Sequence, residues 1–197
     1  MHACLNVDEI VRIIAFELVV SKAKAAVVYF ACCCKDFEGP VLDVLWEIQN
    51  ELLPLLKSLP EDVWKEGGCT VSVPATHVFS SIDCLVWKSF KRSPTTLEWT
   101  RFRKYARRMR KLRERWTSDI LSSEVFPVMQ LCAVSEPLFP NLKTLELFSV
   151  AGKSIPFIPL FLSPRTTIIR LRFIRPESPT AMVAPMVATF PILCPSL

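Results

Sequence analysis

Cysteine and histidine are the residues of this chain whose chemistry is most readily exploited, and their spacing builds neither a nucleophile nor a metal centre. Cys32-Cys33-Cys34 is the only cluster among eight cysteines. Three adjacent residues on a helix point in three directions, so they cannot close a tetrahedral site. No C-x-x-C pair occurs, and the two histidines, His2 and His77, stand far from any cysteine pair. Asp8-Glu9 is better placed to meet the positive end of a helix than to move protons. Phosphate-cradling glycine loops and nucleophile elbows are absent, with only four glycines in the chain. The expectation is a protein without catalytic residues, metal or cofactor, whose work is binding.

Composition fits that expectation. Apolar residues make up 51% and charged residues 22% of 197, which supports a packed core rather than disorder. Asp8, Glu9 and Arg12 follow too soon on Met1 for a secretory signal, so the cysteines read as reduced thiols in an intracellular protein, cytoplasmic or nuclear. The apolar run 25–34 is half the length of a bilayer span, and prolines interrupt the uncharged tail after Glu177, so no membrane partner is expected.

The elements that would present a binding surface begin at once. Asn6 with Glu9 has the form of a capping box, and Val7, Val11, Ile14 and Leu18 then fall on one helical stripe, widened by Ile10 and Ile13. A second helix, 22–34, is nearly all apolar from Ala25 and is expected to be central. Lys35-Asp36 breaks the run, and Gly39-Pro40 suits the start of a third helix lined by Val41, Leu45, Ile48 and Leu52, which Pro54 and Pro60 bound.

Asp8-Glu9-Ile10, then Cys34 and Phe37, then the closing pair Leu45-Trp46, resemble the pattern of an F-box: x-Glu-Ile, a cysteine with an aromatic three residues on, and a final Leu-Trp. Asn6-Val7 stands where that family has Leu-Pro, and Cys33 where it has valine. The resemblance covers about a quarter of the chain. It implies a three-helix docking module that binds a Skp-type adaptor of a cullin–RING ubiquitin ligase through Val7, Ile10, Ile14, Leu18, Cys34, Phe37, Leu45 and Trp46.

Between Glu61 and Ser93 the signals are mixed, with a turn expected at Gly67-Gly68 and a short strand or loop over 70–73. From Thr95 to Thr117 the pattern is clear. Trp99, Phe102, Tyr105, Ala106, Met109, Leu112 and Trp116 recur at helical spacing, and Arg101, Arg103, Lys104, Arg107, Arg108, Arg110, Lys111, Arg113 and Arg115 occupy most other positions, with Glu114 the only acid among them. The spacing predicts one basic amphipathic helix, capped by Thr95 or Thr96 ahead of Glu98. Its apolar stripe is expected in the core, so that Met109→Asp is damaging and Arg108→Glu costs little. The alternative is a nucleic-acid- or chromatin-binding surface along Arg101–Arg115. No aromatics interleave the basic face, as a base-stacking platform would need, so nucleic acid is the second reading.

Ten of the sixteen prolines follow Glu136. There Phe139-Pro140-Asn141-Leu142-Lys143-Thr144-Leu145-Glu146-Leu147 has the L-x-x-L-x-L form of a leucine-rich-repeat strand. Pro164, Ile169 and Leu171 repeat Pro140, Leu145 and Leu147 at 24 residues, within the period such repeats use, with Thr166 where a leucine belongs. The expected architecture is α-rich: an F-box-like three-helix module (1–57), a connecting helical region with the basic helix (58–118), and a partial α/β leucine-rich-repeat solenoid (119–197). By resemblance the last part holds an unknown target protein. Pro195-Ser196-Leu197 echoes the start of a further repeat, so the expectation is a truncated array with a poorly packed tail.

Overall fold

The computed structural model describes residues 7–67, 87–115, 124–133, 136–150, 152–173 and 180–197. The chain is mixed α/β, with a helical N-terminus and a parallel sheet. Three helices open it: α1 (Asp8–Val20), α2 (Lys24–Cys33) and α3 (Lys35–Glu47). Val7, in extended conformation, precedes α1 and offers no side-chain cap. Asn6, the expected cap, lies outside the described residues. Cys34 alone separates α2 from α3, its extended backbone turning the chain. The start expected at Pro40 is therefore corrected: α3 begins at Lys35 and carries Pro40 inside its second turn. It also stops at Glu47, short of the expected stripe through Ile48 and Leu52, because Ile48–Gln49 forms a strand, β1.

These helices pack around a small core of their own, made by Val11, Ala15, Val27, Phe37 and Val41. Phe30 and Phe37 meet there with ring centroids 5.0 Å apart. The second helix is not central. Val27 is its one fully buried residue among those described, and Tyr29, Cys32 and Cys33 are exposed.

After β1 come a short helix α4 (Leu53–Leu56), a 3-10 turn (Glu61–Val63), and strands β2 (Trp64–Gly67) and β3 (Trp87–Phe90), which pair antiparallel. Gly67 thus ends a strand; Gly68 and residues 70–73 lie outside the described residues. Helix α5 (Thr96–Ala106) then leads to β4 (Lys111–Arg115). The single basic helix expected over 95–117 is corrected at this point. Thr96–Ala106 is helical, but a turn through Arg107 and Arg108 follows and Lys111–Arg115 enters a sheet. Helix α6 (Val125–Cys132), strand β5 (Thr144–Val150), a 3-10 segment (Gly152–Phe161), strand β6 (Ile168–Phe173) and helix α7 (Thr180–Leu193) complete the chain.

The principal sheet has the order β1-β4-β5-β6, parallel throughout and in chain order. Leu145 pairs with Ile169 and Leu147 with Leu171, so the 24-residue offset read from the sequence is the strand register. Leu112 pairs with Leu145 at an offset of 33. The approach to each strand also repeats. The Arg110 carbonyl accepts from the N–H groups of Lys143 and Thr144, and the Lys143 carbonyl from those of Thr167 and Ile168.

One sheet face is buried. Leu112, Leu145 and Leu147 join Trp99, Phe102, Met109, Met129, Phe139, Leu142 and Phe161 in the main core. The apolar stripe expected at Trp99, Phe102, Ala106, Met109 and Leu112 is therefore core, Tyr105 packs against it, and Trp116 lies outside the described residues. Thr166 replaces the leucine without leaving a bare hydroxyl: it and Ser163 both donate to the Leu142 carbonyl at 3.1 Å. The tail departs from expectation. Despite Pro185 and Pro191, residues 180–193 are helical, and Met186, Phe190 and Cys194 pack into the main core.

Candidate functional site

Two surfaces stand out, one on each side of the joint between the helical module and the sheet. On the first, α1 is apolar on two faces. Val11 and Ala15 point into the small core, while Ile13, Phe16 and Val20, spaced i, i+3, i+7, form a stripe on the opposite side. That stripe is open to solvent, with Ile13 61%, Phe16 52% and Val20 58% exposed. Val28 and Tyr29 on α2 are exposed as well. Single exposed apolar residues are ordinary; a run of them on two adjoining helices is what interaction surfaces have.

The eight residues expected to bind a partner are divided by the structure. Val7 is exposed. Ile10 and Ile14 are half-buried. Leu18, Cys34 and Leu45 pack on the small core, and Phe37 is buried within it. Trp46 faces the other way, packing on the main core and stacking on Tyr105 at 4.9 Å between centroids. Phe16 and Val20 were not singled out in the sequence, and Ile13 was read there only as widening the first stripe. Their signal was present as a second helical stripe, hidden because the first stripe already accounts for a core face.

The joint itself is ionic and aromatic. Asp43 of α3 accepts from both Arg12 of α1 and Arg108, which also donates to the Gly39 carbonyl at 3.0 Å. Lys104 reaches Glu38 at 3.2 Å, and the Arg110 N–H bonds the Glu47 carbonyl at 2.9 Å. Arg108 is thus half-buried and bonded rather than set on a wholly solvated basic face.

The second surface is the open face of the parallel sheet. Strand alternation puts Lys111, Arg113 and Arg115 of β4, Thr144, Glu146 and Phe148 of β5, and Ile168, Arg170 and Arg172 of β6 on it in register. The basic run thus contributes to a flat face rather than to one continuous helix. At its centre Glu146 is only 2% exposed, accepting from Arg113 Nε at 2.7 Å and Arg170 at 2.6 Å, with Lys111 at 3.0 Å. Those cations, Arg113 first, hold the Glu146 carboxyl down at about 2. Beside it the Arg172 guanidinium lies over the Phe148 ring, 5.5 Å from the centroid.

The inner face of β4 carries an acid where its neighbours carry leucine. Glu114 pairs with Leu147 in the register and accepts the Leu52 backbone N–H. Burial pushes its carboxyl up to about 8, against the opposing pull of that hydrogen bond. Among the described residues, no helix is long and apolar enough to cross a membrane, and no group of three histidine, cysteine or acidic side chains is placed to hold a metal ion. No family model, curated protein or solved structure matches the chain.

Proposed function

We propose that this chain is a non-enzymatic adaptor whose N-terminal helices dock on a Skp-type adaptor of a cullin–RING ubiquitin ligase, while its sheet region holds a target protein. The observation that carries the reading is the double-sided α1. A helix that already fills its core with Val11 and Ala15 still keeps Ile13, Phe16 and Val20 in water. Leaving that apolar area exposed is unfavourable by roughly 25 cal/mol per Å² unless a partner covers it. The F-box-like pattern of Asp8-Glu9-Ile10, Cys34, Phe37 and Leu45-Trp46 supplies the class of partner. The chain's contribution would be proximity: it brings target and ligase together and takes no part in bond making.

Co-purification of the chain with a Skp-type adaptor tests the docking. Phe16→Asp and Ile13→Asp are the informative variants, because both side chains are more than half exposed. Each should weaken adaptor binding by about 2 kcal/mol or more, as buried interface anchors do. Trp46 is a poorer choice, since it packs on the main core and its loss also disturbs the fold. Undiminished capture by both α1 variants, with unchanged circular dichroism, would remove this reading.

A further inference from the structure

We propose that the open face of the parallel sheet docks an acidic, carboxylate-rich extended segment of a protein partner. This rests on the adaptor reading for its biological setting, since it names the chemistry of the target side, but its physical basis is separate. Among the described residues of the strands, five cations, Lys111, Arg113, Arg115, Arg170 and Arg172, share the face with one carboxylate, Glu146. Glu146 is enclosed beneath three of them, so it orients the cations without neutralising the face. A guanidinium has five donors in a rigid fork. Arg113 and Arg170, with side chains 51% and 64% exposed, therefore keep donors for a second carboxylate after bonding Glu146.

The spacing suits an extended chain. Alternate residues of a strand lie roughly 6.6–6.8 Å apart. Arg113 and Arg115 have that separation on β4, as do Arg170 and Arg172 on β6. An extended acidic segment presents every second side chain to one side at the same repeat, so its carboxylates can meet successive arginines. Charged chains also repel themselves into extended forms, which lowers the ordering cost of binding. Nucleic acid fits less well. Sequence-tolerant binding of single strands uses aromatic faces for the bases. Phe148 is the aromatic residue on the described part of this face, and Arg172 already covers its ring.

The test titrates the full chain, without any adaptor present, against a fluorescent oligo-glutamate peptide of about a dozen residues, read by anisotropy. A neutral glycine–serine peptide and an oligouridylate serve as comparison ligands. The peptide should bind and weaken with added salt, while Arg115→Ala with Arg172→Ala should reduce affinity about tenfold or more. Neither residue bonds Glu146, so the central cluster stays intact. Arg101→Ala, on the exposed side of α5, should leave the affinity unchanged. Arg115→Ala alone supplies a second measure if the double variant loses structure, and it should bind more weakly than the unaltered chain. Equal binding by the unaltered chain, the sheet variants and the glycine–serine control would overturn the proposal. Preferential binding of oligouridylate would replace it with a nucleic-acid surface. Adaptor docking is read separately through Phe16→Asp, so failure of one idea leaves the other standing or falling on its own result.

Discussion

Glu114 and Glu146 sit one strand apart on opposite faces of the sheet and answer pH in opposite directions. Burial raises the Glu114 carboxyl to about 8, so its folded form favours the proton. That preference is fully present below the ordinary carboxyl value of about 4.5 and is lost as pH rises toward 8. Glu146 is the reverse: held at about 2 by Arg113, Lys111 and Arg170, it stabilises the fold above about 4.5 and that contribution disappears as pH falls toward 2. Glu114→Gln keeps an acceptor for the Leu52 N–H without the burial of a charge. It should raise stability at pH 8.5 by on the order of 2–4 kcal/mol and change little at pH 4, as urea unfolding at the two pH values would read. A variant no more stable than the parent at pH 8.5 would show that water reaches Glu114 freely. Glu146→Ala should cost about 1–2 kcal/mol at pH 7 and progressively less on acidification, since its exposed cations can be rehydrated. An acid-independent loss would instead assign Glu146 a packing role. Neither behaviour was readable in the sequence, where Glu114 is the lone acid of a basic run and Glu146 an acid between two leucines; the strand register decides which one faces the core.

Helix α5 is where the element scale is most instructive. Its start was legible: Thr95 accepts from the Glu98 N–H at 3.4 Å while Glu98 accepts from the Thr95 N–H at 2.6 Å, a reciprocal cap. Arg92 reinforces it, joining Glu98 at 2.7 Å to Asp62 at 2.7 Å. Thr95→Ala should therefore lower stability by about 1 kcal/mol, measurable as a shifted urea midpoint with unchanged slope. An unchanged midpoint would mean that Arg92 alone fixes the helix start. The end was not legible. Met109 and Leu112 continue the three- and four-residue spacing, yet Leu112 and Glu114 also alternate with Arg113 and Arg115 at a period of two. Short apolar patterns satisfy both templates, and pairing with β5 decides between them. The Leu112-to-Leu145 offset of 33 conceals the kinship that the 24-residue offset of Leu145 to Ile169 reveals. Met109→Asp, at a fully buried site, should cost on the order of 3–5 kcal/mol and collapse the cooperative transition. Retention of that transition would show the core reading of the stripe to be wrong.

Across the whole molecule, two cores of unequal size meet at a narrow joint. Among the described residues the helical module buries Val11, Ala15, Val27, Phe37 and Val41, whereas the main core runs from Leu52 through the sheet to Cys194. The three-helix arrangement at the N-terminus was legible from its apolar spacing. The packed C-terminal helix was not, because Pro185 and Pro191 argue against helix locally and only burial of Met186 and Phe190 overrides them. Local stability follows buried apolar contact, so the small module should open before the larger core, and the tail should outlast it. Asp43 ties the two together by accepting from Arg12 on the module side and from Arg108 on the sheet side. Removing that carboxylate leaves Arg12 and Arg108 without their shared partner, and the joint then rests on the Arg110–Glu47 backbone bond, the Lys104–Glu38 pair and Trp46 stacked on Tyr105. Asp43→Ala should thus speed amide exchange and proteolytic cleavage within 8–47, while residues 144–150 and 180–193 keep their protection. A uniform loss of protection along the chain would mean that the module and the sheet unfold as one unit, and the α1 stripe would then have to be judged as part of a single core left unfinished rather than as the free face of a separate docking module.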